Sequence, residues 1–177
     1  RTGKLFACEH EGIVPDLICL GKSMSGGYPI SACVGKSSVM DAWPESDGEA
    51  LHTSTFLGNP VGCAMALASI REHVRPQTAA KVTERGAKLI DLLKNLSCPL
   101  IHEVRGRGLM LGVELRHADG KPAGDEAGII LTEMLRSGVM MLADGPCGNV
   151  LAFTPPFTIS DAEMQFAVDA LQCALDR

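Results

Sequence analysis

One lysine, carried in a glycine-rich gap between two apolar runs, constrains this chain more than any other feature. Residues 14–20 (VPDLICL) end at Gly21 and read as a short buried strand, and residues 30–35 (ISACVG) read as another. Between them lies Lys22-Ser-Met-Ser-Gly-Gly-Tyr-Pro29, too rich in Gly, Ser and Pro for a helix. A strand must end, the chain must turn tightly, and one amine sits at the strand's mouth. In open α/β sheets that is where ligands bind. Burial there disfavours the ammonium form and yields an amine able to form a Schiff base. The same spacing also fits a solvated loop lysine.

Farther along, His52-Thr-Ser-Thr55 precedes Gly58-Asn-Pro60 and the apolar stretch 61–74. Asn59 with Pro60 is a helix start, because Asn caps free N–H groups and Pro is tolerated in the first turn. Hydroxyls and free N–H groups before a helix suit an anion such as phosphate, and they suit an ordinary cap equally well. His52 is read as a hydrogen-bonded structural histidine. A second helix is expected over 77–96, with Val82, Leu89, Leu92 and Leu93 on one side.

At Ser97-Cys-Pro99 the pattern changes. Strands are expected at 101–104, 109–115, 139–142 and 149–153, and helices at 125–137 and 161–175. Ser160 with Glu163 forms a capping-box pattern at the last helix. Arg105-Gly-Arg-Gly108 lacks the third Gly and following helix of a dinucleotide fingerprint, so it reads as a turn between strands. The organisation expected is a first domain over residues 1–96 and a smaller one over 97–177.

Composition narrows the function classes. With 46% hydrophobic residues in 177, the chain can bury a core, and with aromatics at 4% that core is aliphatic. The net charge of −5 argues against a general nucleic-acid binder. No apolar run is long enough to cross a bilayer and no signal-peptide pattern opens the chain. Seven cysteines, an odd count with no CxxC, argue against a disulfide framework or a metal site and for a reducing, cytoplasmic setting. The first residue is Arg1 rather than Met, as though the chain were cut from something longer.

Taken together the motifs resemble the class III aminotransferases, a subgroup of the fold-type I pyridoxal-phosphate enzymes. Arg1-x-Gly3 and Asp16-Leu-Ile-x-x-Gly21-Lys22-x-x-x-Gly26-Gly27, running into Tyr28-Pro29-Ile30, resemble the family's lysine signature. His52-x-Ser54-Thr55-Phe56-x-Gly58-Asn59-Pro60 is similar to its next block. Val104-Arg-Gly-Arg-Gly-Leu109 resembles the opening of its C-terminal domain, and Thr154-Pro-Pro-Phe157 its last substrate-side strand. The four occur in family order across nearly the whole chain.

The resemblance implies an α/β fold: the later part of a PLP-binding large domain with a mostly parallel sheet, then an α+β small domain. It implies pyridoxal 5'-phosphate as cofactor, with Lys22 as Schiff-base residue and proton shuttle. Thr55, with Ser54 as a weaker neighbour, would bind the cofactor phosphate across a dimer interface, so a homodimer is implied. The implied reaction moves an amino group between an amine or amino acid and a 2-oxo acid. An aminomutase or decarboxylase on the same scaffold, or a non-catalytic remnant used for dimerisation or binding, is the alternative. The family's aspartate partner of the ring nitrogen would lie ahead of Arg1, so the missing N-terminal part is an implied partner and the 177 residues alone are expected to be inactive. Many relatives carry an Arg, gripping a substrate carboxylate, where this chain has Ala152.

Overall fold

Strands β1 (Leu17–Leu20) and β2 (Ala32–Gly35) of the computed structural model, which describes residues 1–48 and 52–177, pair antiparallel in the register Leu17↔Gly35 to Leu20↔Ala32. The first is shorter than its apolar run because Pro15 has no N–H for a ladder. Past its start, the Lys36 N–H still donates to the Asp16 carbonyl at 3.0 Å, and the two side chains form an ion pair at 2.6 Å. A short helix, α1 (Ser37–Met40), follows. Helix α2 (Pro60–His73) begins where the sequence requires: the Asn59 side chain accepts from the Val61 and Gly62 N–H groups, both at 3.1 Å. These elements belong to a unit comprising residues 5–76.

The second unit comprises residues 1–4 and 77–177. It holds helix α3 (Pro76–Lys94), strands β3 (Ile101–Arg107) and β4 (Met110–Leu115), helix α4 (Gly124–Arg136), strands β5 (Leu142–Asp144) and β6 (Val150–Phe153), and helix α5 (Asp161–Leu175). The sheet is antiparallel throughout, in the order β3-β4-β6-β5. Period-2 alternation puts Leu111, Val113, Leu115, Leu151 and Phe153 into the core, where they meet Val82, Leu89 and Leu93 of α3, Ile130 and Met134 of α4, and Met164, Val168 and Leu171 of α5. The predicted capping box of α5 is formed: the Glu163 N–H donates to Ser160 Oγ at 3.2 Å, and the Ser160 N–H to Glu163 Oε2 at 2.7 Å. As expected, the core is almost wholly aliphatic, with Phe153 its sole buried aromatic among the described residues.

Three features differ from the sequence expectations. The division between units falls ahead of α3 rather than behind it, near 76 instead of 96. Lys88 of α3 pairs with Asp161 at 3.1 Å and Arg85 donates to the Phe157 carbonyl, so α3 is tied to the start of α5 as well as to the core. An amphipathic helix joins whichever core accepts its apolar stripe, and chain spacing does not reveal which. The strand expected at 139–142 lies at Leu142–Asp144, because Gly138 in the left-handed region turns Val139 back to bond the Met134 carbonyl at 2.9 Å. Finally, both sheets of the described residues are antiparallel; the parallel strands implied for the large domain are not formed by these residues.

Candidate active site

Gly21 is extended, with φ −168° and ψ −156°, and Lys22 then turns into the left-handed region at φ 49°. Among the described residues Lys22 is the only non-glycine with positive φ. A Cβ in that region clashes with the following carbonyl at a cost of about 1–2 kcal/mol, and such strain persists only where the surroundings over-determine it.

The surroundings do so here. The Met24 N–H closes a tight turn on the Gly21 carbonyl at 3.1 Å. Ser25, buried at 3% exposure, donates its hydroxyl to the Tyr28 carbonyl and accepts from the Gly27 N–H at 3.4 Å. Gly26 and Gly27 follow at φ 70° and 139°, values that a side chain would oppose. Helix α2 supports the loop along its length. Ser69 Oγ donates to the Ser23 carbonyl at 2.9 Å, and at Gly62 a Cβ would stand 2.8 Å from the Tyr28 ring. The loop is thus fixed by its own hydroxyls and glycines and by one helix, and Lys22 projects from it.

The amine is not dry in this chain. Lys22 is exposed, so the desolvation expected of it is not supplied by these residues. Ser54 and Thr55 are exposed as well, on a turn closed by Leu57 N–H to Ser54 O and Asn59 N–H to Phe56 O, both at 3.1 Å. That turn leads into the N-terminus of α2, capped by Asn59. Ser69, which holds the lysine loop, lies ten residues along α2 from Asn59, about 15 Å at 1.5 Å per residue. The lysine loop thus meets α2 both near its start, at Gly62, and near its end, at Ser69, while the hydroxyl turn leads into its start. His52 packs edge-on to Trp43, ring centroids 6.3 Å apart.

In the other unit, Arg105, Gly112, Ala152 and Leu142 form one row across the four strands, on the face away from the helices. The Arg105-Gly-Arg-Gly108 segment is mostly strand, with Gly106 and Gly108 in positive φ where β3 turns into β4. The structure adds a group that spacing alone did not single out. Glu114, only 8% exposed, accepts from Arg105 and, at 2.7 Å, from Arg116. The Arg105 hydrogen bond is the main reason its carboxyl is held below the usual range, against the opposing effect of burial.

The aminotransferase class-III family model matches residues 1–175. The chain belongs to that family. Over 99% of its length it is 39% identical to the LysW-aminoadipate semialdehyde transaminase of Deinococcus radiodurans, covering 38% of that protein. Among solved structures it resembles an N-acetylornithine aminotransferase from Stenotrophomonas maltophilia, with TM-score 0.82 and 32% identity over 99% of this chain and 43% of that one. It also resembles a phospholyase from Arthrobacter, with TM-score 0.89 and 28% identity over 99% of this chain and 42% of that one. The chain spans about two fifths of the length of the curated relatives it matches, and its fold is that part of a fold-type I transferase.

Class III aminotransferases depend on pyridoxal phosphate. The lysine loop is compatible with that group on the structure's own terms, because backbone strain is held at Lys22, which presents an exposed amine.

Proposed function

We propose that this chain is the lysine-bearing part of a pyridoxal-phosphate-dependent aminotransferase that moves an amino group between an amine or amino acid and a 2-oxo acid. The observation that carries the reading is the left-handed backbone of Lys22, strain held at the one position the family signature assigns to the reactive amine. Pyridoxal phosphate, when bound, supplies an aldehyde that captures amines and an electron-withdrawing ring that accepts electrons released at the substrate's Cα. Lys22 holds the cofactor through its Nζ. Once displaced from the cofactor by the substrate's amine, the same Nζ would accept the proton from the substrate's Cα and hold it for delivery on the far side of the nitrogen being transferred. Thr55, seconded by Ser54, holds the phosphate with its hydroxyl at the capped end of α2.

The exposure of Lys22, Ser54 and Thr55 in this chain supports a homodimer in which the hydroxyl turn of one copy serves the lysine of the other. The walls that dry Lys22 Nζ then come from the second copy and from residues outside 1–177. With Ala152 where many relatives carry an Arg, a substrate carboxylate is gripped elsewhere or is absent. The unpaired thiols support a reducing, cytoplasmic setting.

The test is borohydride reduction of the full-length protein that contains this chain, with pyridoxal phosphate, followed by peptide mass mapping and by product analysis with amines and either pyruvate or 2-oxoglutarate. A pyridoxyl adduct on Lys22, lost in Lys22→Ala, with turnover that requires the oxo acid, is expected. An adduct only on other lysines overturns the site, and amine consumption without an acceptor overturns amino-group transfer in favour of a lyase-type reaction.

A further inference from the structure

Cys19 and Cys33 stand directly opposite each other across β1 and β2, and both are exposed free thiols. The kind of pairing follows from the ladder. The Lys36 N–H bonds the Asp16 carbonyl, so 16 and 36 are a hydrogen-bonded pair. Pairs alternate along an antiparallel ladder. Hence 17/35 is non-hydrogen-bonded, 18/34 is hydrogen-bonded and 19/33 is again non-hydrogen-bonded. At such positions the Cα atoms approach to about 4.5 Å, inside the roughly 4.4–6.8 Å window that a disulfide spans. The two side chains leave the same face of the hairpin, and the sulfurs are near enough to interact. Desolvation, and then the hydrogen bond with Cys19, push the Cys33 thiol above its ordinary range.

We propose that Cys19 and Cys33 form a reversible cross-strand disulfide that closes the lysine loop at its root. Cys19 lies three residues before Lys22, and the ring closed by the bond contains every residue from Leu20 to Ala32. With glutathione disulfide as oxidant the exchange balances. One cysteine thiolate attacks a glutathione sulfur and releases one glutathione thiolate. The second cysteine then attacks the mixed disulfide at the protein sulfur and releases the other. Two protons and two electrons leave the protein in two reduced glutathiones. The bond is independent of the chemistry assigned to Lys22. It removes freedom from the open loop without moving the paired strands, since the ladder already sets the spacing.

The native chain is incubated with glutathione disulfide, alkylated with iodoacetamide and digested with trypsin without reductant. Trypsin cuts after Lys4, Lys22 and Lys36, which puts Cys19 in peptide 5–22 and Cys33 in peptide 23–36. Peptide 5–22 also contains Cys8, so the experiment is run in parallel on Cys8→Ser, and fragmentation of the linked pair in the unsubstituted chain locates the bond. The expected product is a linked species two hydrogens lighter than the sum of the two peptides. Alkylation is lost at Cys19 and Cys33, and dithiothreitol restores both. Two outcomes overturn the proposal: both cysteines alkylated while other thiols have been oxidised, or each cysteine carrying its own glutathione with no linked peptide.

Discussion

Substituting Gly86 by Ala isolates what holds α3 in place. In an exposed helix interior Ala is favoured over Gly by about 0.8–1.0 kcal/mol. Gly86, however, is buried on the face of α3 that meets the β3–β4 turn, and a Cβ there would stand 2.1 Å from the Gly108 carbonyl oxygen and 2.5 Å from its Cα. Ordinary carbon contacts lie at about 3.5–4.0 Å, so helix and turn would have to part by roughly 1–1.5 Å. The turn has nowhere to go, because a Cβ at Gly108 would itself lie 2.7 Å from Arg1 O and 2.9 Å from Val82 Cγ1. No rotamer relieves a clash with backbone, so the overpacking cost belongs near the top of its usual range of about 1–3 kcal/mol. Set against the propensity gain, Gly86→Ala is expected to destabilise by about 1–2 kcal/mol. Gly128 of α4 is the control: it is exposed, with nothing within 4 Å of the added carbon, and Gly128→Ala is expected to stabilise by up to about 1 kcal/mol. Urea denaturation followed by far-UV circular dichroism reads both. If the two variants shift the midpoint in the same direction, the close approach of α3 to the turn is not what requires glycine at 86.

Other perturbations test the remaining supports. The carboxyl of Glu114 is held below its usual range chiefly by Arg105, so the ion pair is fully stabilising above the unfolded carboxylate pKa of about 4.3 and is lost as pH falls through the lower folded value. Glu114→Gln should cost about 1–3 kcal/mol at pH 7, and its deficit against the unsubstituted chain should shrink in acid; urea midpoints that keep a constant gap down to pH 3 would contradict this. Removing the α2 cap with Asn59→Ala should cost about 1 kcal/mol, while Asn59→Asp is nearly neutral, as read by thermal melting through the fluorescence of Trp43, the single tryptophan, in the same unit. Leu93, fully buried where α3 enters the core, should cost about 2–5 kcal/mol as Leu93→Ala in the same urea assay.

Local chemistry was legible in the chain because each local signal carries its cause with it. Asn59 caps α2 and Ser160 with Glu163 caps α5 because a side chain reaches N–H groups two or three residues away. The three long helices of residues 76–175 and the β4 and β6 strands follow apolar periodicity, and the ordered motifs sufficed to place the chain in its family. What tertiary structure alone decided depends on partners distant in sequence. The adhesion of α3 to the later strands turns on Gly86 meeting Gly108, and the row joining Arg105 to Ala152 exists only once β4 lies between them. Cys19 faces Cys33 because a ladder register, and not a CxxC spacing, brings them together. The strained backbone of Lys22 had no signature of its own: glycines at 21, 26 and 27 announce a turn, but which residue is driven to positive φ is settled by the hydroxyls and the helix packed around it. Propensity and periodicity act within a few residues, whereas strain, register and close packing are set by contacts that form only when the chain has folded.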